Sequence, residues 1–269
     1  MRKILLVFAV LSTLSFTSSP TSLTTYAENH SLITAHRGSS GTAPENTLGA
    51  FRQAIEDGAG YAELDVQETK DGVLVVMHDY NVRRTTGINK PIWDIRYKEL
   101  RRASAGAWFG ASYRNEKVPT LEEVLVTAKG RLKLNIELKN NGHGVRLAEQ
   151  TVDLIEKHHF TDHCTVTSFD AELLRRVKQG NGSIKTGLIV GEKPKDLEGL
   201  FRSSDYEVIS AAYPLVNKEF MLLAAKYHKE VYVWTVNNEQ DMARMMDLGV
   251  SSIITNYPER LMGLMKKKI

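Results

Sequence analysis

The stretch AELDVQETKDGVLVVMHD, residues 62–79, decides how this chain folds. It holds two strand-like runs, YAELDVQ (61–67) and VLVVMH (73–78), separated only by ETKDG. A parallel neighbour needs a crossover of a dozen or more residues, so the second run must fold back antiparallel on the first. Asp71-Gly72 favours a two-residue type I′ turn. That turn pairs Lys70 with Val73 and, counting outward, sets Asp65 opposite His78. Opposed residues share a face, and Glu63 joins it by the two-residue period of a strand. Buried charge is costly unless it is paired or bound to metal, so the stretch reads as a site and not only as a strand.

Outward from this hairpin, apolar strands alternate with amphipathic helices. Strand patterns fall at 32–36, 61–67, 132–138, 164–169, 184–190, 207–213, 231–236 and 251–255, with helical patterns between them. Eight such units predict an α/β fold, a closed (β/α)8 or TIM barrel, with the hairpin as a ninth, extra strand. Asn46, Asp170, Asn217 and Asn238 are the expected helix caps. Residues 80–120 are irregular and read as an inserted loop subdomain. Its Trp93, Trp108 and Phe109 either wall a pocket or bury one another over the rim.

The chain opens MRKILLVFAVLSTLSF and runs on to Ala27, the pattern of a cleaved secretory signal peptide over residues 1–27. Its apolar run is too short and too interrupted for a span, so no stable membrane insertion is expected. Residues 28–269 then form one domain, placed outside the cell. Two of the charges in the formal net +3 sit in the leader, which leaves a near-neutral domain and no reason to expect a nucleic-acid partner. Cys164 is the only cysteine, so no internal disulfide exists and a large core must stabilise the fold. It reads as a buried, inert thiol.

Barrel sites lie at the C-terminal ends of the strands. Those ends carry His36 and Arg37, Glu63 and Asp65 with His78 from the hairpin, Glu137 and Lys139, Trp234, and Asn256. Three carboxylates without thiolates or a histidine pair suit a hard cation, Ca²⁺ or Mg²⁺, better than zinc. Arg37 and Lys139 suit an anionic group beside it. His36 and His78 provide a general base and a general acid. Together these describe metal-assisted phosphoryl chemistry; a rim neutralised by salt bridges is the plainer alternative. Of the other histidines, read as surface or capping groups, only His143 follows Lys139 closely enough to reach a substrate.

In order, HRG (36–38), PENT (44–47), ELDVQETKDG (63–72), HD (78–79), WFG (108–110), PTLEEVL (119–125), IELK (136–139), TSF (167–169), VWTVN (233–237) and TNYP (255–258) resemble the glycerophosphodiester phosphodiesterases over residues 32–258. The resemblance implies a glycerophosphodiester substrate cut to sn-glycerol 3-phosphate and an alcohol, and the leader points to the exported bacterial branch. It implies His36 and His78 as the acid–base pair, Glu63, Asp65 and Glu137 as ligands of one divalent cation, and Arg37 and Lys139 as phosphate contacts. Trp234 would wall the glycerol, Glu45 would support Arg37 or the metal, and Asn46 would cap the first helix. Asn256 stands where the family commonly has Asp. The rivals are a phospholipase C- or D-like enzyme acting on lipids or lysolipids, and a non-catalytic barrel binding a phosphate polymer. Head group, choice of cation and oligomeric state stay open.

Overall fold

A computed structural model describes residues 32–267, so the leader lies outside the described residues. In chain order the strands are β1 (Ile33–Ala35), β2 (Tyr61–Glu68), β3 (Leu74–Val76), β4 (Lys133–Leu138), β5 (Cys164–Ser168), β6 (Lys185–Val190), β7 (Val208–Ala212), β8 (Glu230–Trp234) and β9 (Ser252–Thr255). All except β3 run parallel, and β1 pairs with both β2 and β9, which closes the ring. This is the expected (β/α)8 barrel.

Among the described residues eight helices wrap the ring, α1 (Leu48–Glu56), α4 (Leu121–Ala128), α5 (Leu147–Lys157), α6 (Ala171–Gly180), α7 (Leu197–Arg202), α8 (Lys218–Lys226), α9 (Glu239–Asp247) and α10 (Pro258–Lys267), while the short α2 (Arg83–Thr86) and α3 (Tyr97–Leu100) belong to the 80–120 insertion. The strands turn Leu64, Val66, Leu134, Ile136 and Val166 outward into the layer they share with these helices. Inward they present Glu63, Asp65, Asn135, Thr165, Thr167 and Ser210, a polar lining. Asp170, Asn217 and Asn238 cap α6, α8 and α9 as expected. Asn46 does not cap α1: Thr47 does, accepting from the Ala50 amide at 3.2 Å.

The hairpin register differs from expectation by one residue. Val66 pairs with Val76, Gln67 with Val75 and Glu68 with Leu74. The loop has three residues, closed by the Thr69 amide on Val73 O (3.0 Å) and the Gly72 amide on Thr69 O (2.9 Å). Gly72 takes the left-handed conformation (φ 77°) that this loop type requires. A type I′ turn would also need positive φ at Asp71. That carboxylate is instead tied to the Thr69 hydroxyl (2.8 Å) and the Tyr97 amide (2.9 Å). Asp65 therefore faces Met77, whose amide donates to Asp65 O at 2.9 Å, and His78 lies one step past the ladder.

The strand β3 serves two cores. Leu74 and Val76 pack into the main core, whereas Val75 and Met77 join Val82, Ile92, Ile95, Leu100, Ala105 and Val118 in a separate cluster. That cluster is the centre of the 80–120 segment, which is why VLVV is apolar on both faces.

Candidate active site

The segment after β1 builds one wall. Arg37, Gly38 and Asn46 all have left-handed backbones, with φ of 55°, 76° and 57°. A Cβ on Gly38 would lie 2.6 Å from the Ala50 carbonyl carbon, so only glycine fits. The bend aims the Arg37 amide at Glu63 Oε2 (2.9 Å) and its guanidinium at Glu45 Oε1 (2.9 Å). Arg37 Nε lies 3.4 Å from Asp65 Oδ2 without hydrogen-bond alignment. Asn46 is a support of a different kind from the one expected, donating from Nδ2 to Asp65 Oδ2 at 2.8 Å.

The acids converge because β2 and β4 are parallel in register. Asp65 pairs with Glu137, and Glu63 lies one pleat below beside Asn135. One oxygen from each of Glu63, Asp65 and Glu137 falls within 4.8 Å of the others. Lys139 Nζ stands 3.0 Å from Glu137 Oε1 and 3.5 Å from Asp65 Oδ1. Burial, then the neighbouring Asp65, pushes Glu137 up to about 7. Burial, then Asp65 and Glu137, raises Glu63 well above the carboxylate range. Burial alone would raise Asp65 as well, but Arg37 and Lys139 hold it below its ordinary value.

These acids fit a divalent cation. They offer oxygen donors only, their mutual repulsion is what an added cation relieves, and Glu137 Oε1 is buried beside Lys139 with no aligned donor.

The two imidazoles are held differently. His36 Nδ1–H donates to Asn256 Oδ1 at 2.7 Å, leaving Nε2 free, 3.9 Å from Glu63 Oε2. Burial, then Arg37, lowers His36 to about 4. His78 Nδ1–H donates to Asp79 Oδ1 at 2.8 Å. Burial works to raise Asp79, but the bonds from Arg84 and then His78 bring it down to about 2. Arg84 forks twice, onto Asp79 (2.7 and 3.0 Å) and onto Glu45 (2.7 and 2.8 Å). An unbroken chain of contacts thus runs from His78 through Asp79, Arg84 and Glu45 to Arg37.

A cavity of about 140 Å³ opens between these groups. His36, Arg37, Glu63, His78, Glu137, Lys139 and Trp234 line it, while Asp65, Glu45 and Asn46 stand behind. Trp234 anchors Nε1 on Ser210 O (3.0 Å), with Phe169 edge-on at 6.1 Å. The insertion's aromatics line none of it: Trp93 stacks on His143 at 4.2 Å, and Trp108 meets Phe109 edge to face. Arg84 and Gln67 escaped the reading of the sequence. Arg84 sits in a basic run with no motif. Gln67 continues the 63–65 alternation, and that two-residue period is the signal that points to it.

Acids able to hold a cation, a cationic pair and two oriented imidazoles at the mouth of a (β/α)8 barrel define a phosphate-handling hydrolase. A model of the glycerophosphoryl diester phosphodiesterase family matches residues 36–260, and the chain belongs to that family. A glycerophosphodiester phosphodiesterase of Caldanaerobacter subterraneus is 37% identical over 248 residues, covering 88% of this chain and 98% of that protein. One from Bacillus subtilis is 31% identical over 282 residues, covering 96% of each. The structure of an Oleispira antarctica phosphodiesterase in complex with the product sn-glycerol-3-phosphate superposes with a TM-score of 0.81 at 28% identity. That match covers 87% of this chain and 96% of the other.

Proposed function

We propose that this protein hydrolyses glycerophosphodiesters to sn-glycerol 3-phosphate and a free alcohol, using one divalent cation, Ca²⁺ or Mg²⁺. The observation that carries the reading is one cavity lined by Glu63 and Glu137, by Arg37 and Lys139, and by both imidazoles. The names of the relatives and the product bound in the Oleispira enzyme support the choice of substrate. The leader supports export of the mature domain.

Glu63, Asp65 and Glu137 would hold the cation, which when bound polarises a phosphoryl oxygen and offsets the charge of the diester. Arg37 and Lys139 bind the phosphate, and Trp234 walls the glycerol. His36 is the base: its Nδ1 rests on the neutral Asn256, so Nε2 is free to take a proton from the attacking oxygen. That oxygen belongs to water, or to the substrate's own 2-hydroxyl; in the second case a cyclic phosphate forms as the alcohol leaves, and water then opens it to glycerol 3-phosphate. His78 is the acid: the Asp79 carboxylate holds its Nδ1–H and so orients the ring, and Nε2 protonates the departing alkoxide as the P–O bond breaks.

A coupled assay for glycerol 3-phosphate tests this, with glycerophosphocholine as substrate and Ca²⁺, Mg²⁺ or chelator present. Product forms with cation and stops with chelator. Full turnover after exhaustive chelation overturns the metal assignment, and turnover of micellar lysolipid alone moves the substrate to lipids. His36→Ala and His78→Ala each lose about 10²-fold or more in kcat. A p-nitrophenyl diester, whose leaving group needs no proton, restores turnover to His78→Ala and not to His36→Ala. Equal losses on both substrates in both variants would refute the division of roles.

A further inference from the structure

We propose that Gln67 is the positioning residue for His78, a role that rests on His78 being the general acid. The slipped register creates the need. The β2–β3 ladder ends with the Met77 amide on Asp65 O, so His78 and Asp79 leave it without strand partners. Gln67, opposite Val75 and fully buried, fills the gap. Its Nε2 donates to three successive carbonyls, Met77 O at 2.8 Å, His78 O at 3.2 Å and Asp79 O at 3.1 Å.

Its other end is fixed as well. Gln67 Oε1 accepts from Asn141 Nδ2 at 3.1 Å, and Asn141 Oδ1 accepts from the His143 amide at 2.9 Å. A row of carbonyls demands a donor and Asn141 demands an acceptor, so an amide satisfies both in one orientation. Glutamate would point an acceptor at the carbonyls, and methionine would offer them nothing. Gln67 does not itself line the cavity, and it meets His78 and Asp79 only at their backbone carbonyls. Its influence reaches the chemistry through the backbone of His78–Asp79, which sets where the imidazole starts and where Asp79 meets it. A displacement of about 1 Å in such a group is enough for a loss on the order of 10²-fold.

The test uses Gln67→Met, which keeps length and burial, with Asn141→Ala as a second variant on the half-buried side of the same network. On glycerophosphocholine, Gln67→Met should lose about 10- to 100-fold in kcat with little change in KM, and Asn141→Ala should lose less. On the p-nitrophenyl diester, which needs no acid, both losses should vanish. A merely structural role would lower both substrates alike, and that result overturns the proposal. Wild-type kcat in Gln67→Met on glycerophosphocholine also overturns it. Should Gln67→Met fail to fold, Asn141→Ala decides by the same substrate comparison. Full kcat in His78→Ala would remove the acid assignment and this inference together. An impaired His78→Ala beside unimpaired Gln67 and Asn141 variants would sink this inference alone.

Discussion

At the scale of the residue, the site is a set of unlike environments around like groups. Two histidines differ because one leans on an amide and the other on a carboxylate. Asp79 illustrates how such a partner affects stability. Its ordinary value of 3.8 falls to about 2 in the folded protein, so its ionised form stabilises the fold. That contribution is complete above about pH 4 and disappears as pH falls towards 2. Asp79→Asn should therefore unfold at lower urea than the parent at pH 7, and the gap should narrow steadily below about pH 4. A gap independent of pH would contradict this. Residues such as His36, Glu63 and Lys139 were legible because their strand-end positions follow from pattern alone. Arg84 was not, since its two acids come together only after the insertion folds over the hairpin.

At the scale of the element, boundaries were readable where side chains cap or punctuate, and register was not. Asp170, Asn217 and Asn238 are of the legible kind, and the structure adds a capping box at Thr120 that was not among the expected caps. Thr120 Oγ1 accepts from the Glu123 amide at 3.1 Å, and Glu123 Oε2 accepts from the Thr120 amide at 2.8 Å. Thr120→Ala should cost about 0.5–2 kcal/mol, measured by urea unfolding, with kcat unchanged because α4 carries no cavity-lining group. The hairpin misled because Asp-Gly serves two loop types. In the longer one the Asp71 carboxylate accepts from the Thr69 hydroxyl and from the Tyr97 amide, a contact from 26 residues away. Asn46 misled for a related reason: cap chemistry was correctly sensed in PENT, but Thr47 took it and Asn46 turned to Asp65.

At the scale of the whole molecule, the barrel's eight parallel strands and alternating helices were legible from periodicity, whereas the second small core over the rim was visible only as irregular sequence. Crowded acids make the fold pay at its mouth for what it does there. A cation bound only by the native state, at a hundred times its dissociation constant, adds about 2.7 kcal/mol. For a chain of this size that is roughly 5–10 °C in Tm. Adding Ca²⁺ or Mg²⁺ to chelator-treated protein should raise Tm by this order, and Glu137→Gln should abolish the rise. An unchanged Tm in saturating cation would count against the site. The strand β3 lies outside the closed ring, yet it carries the chain to His78. Scaffold and proposed proton donor are thus separable parts. A descendant that rebuilt the segment after Glu68 would keep its staves, its acids and its first imidazole, and turn from a catalyst into a receptor for the same small anion.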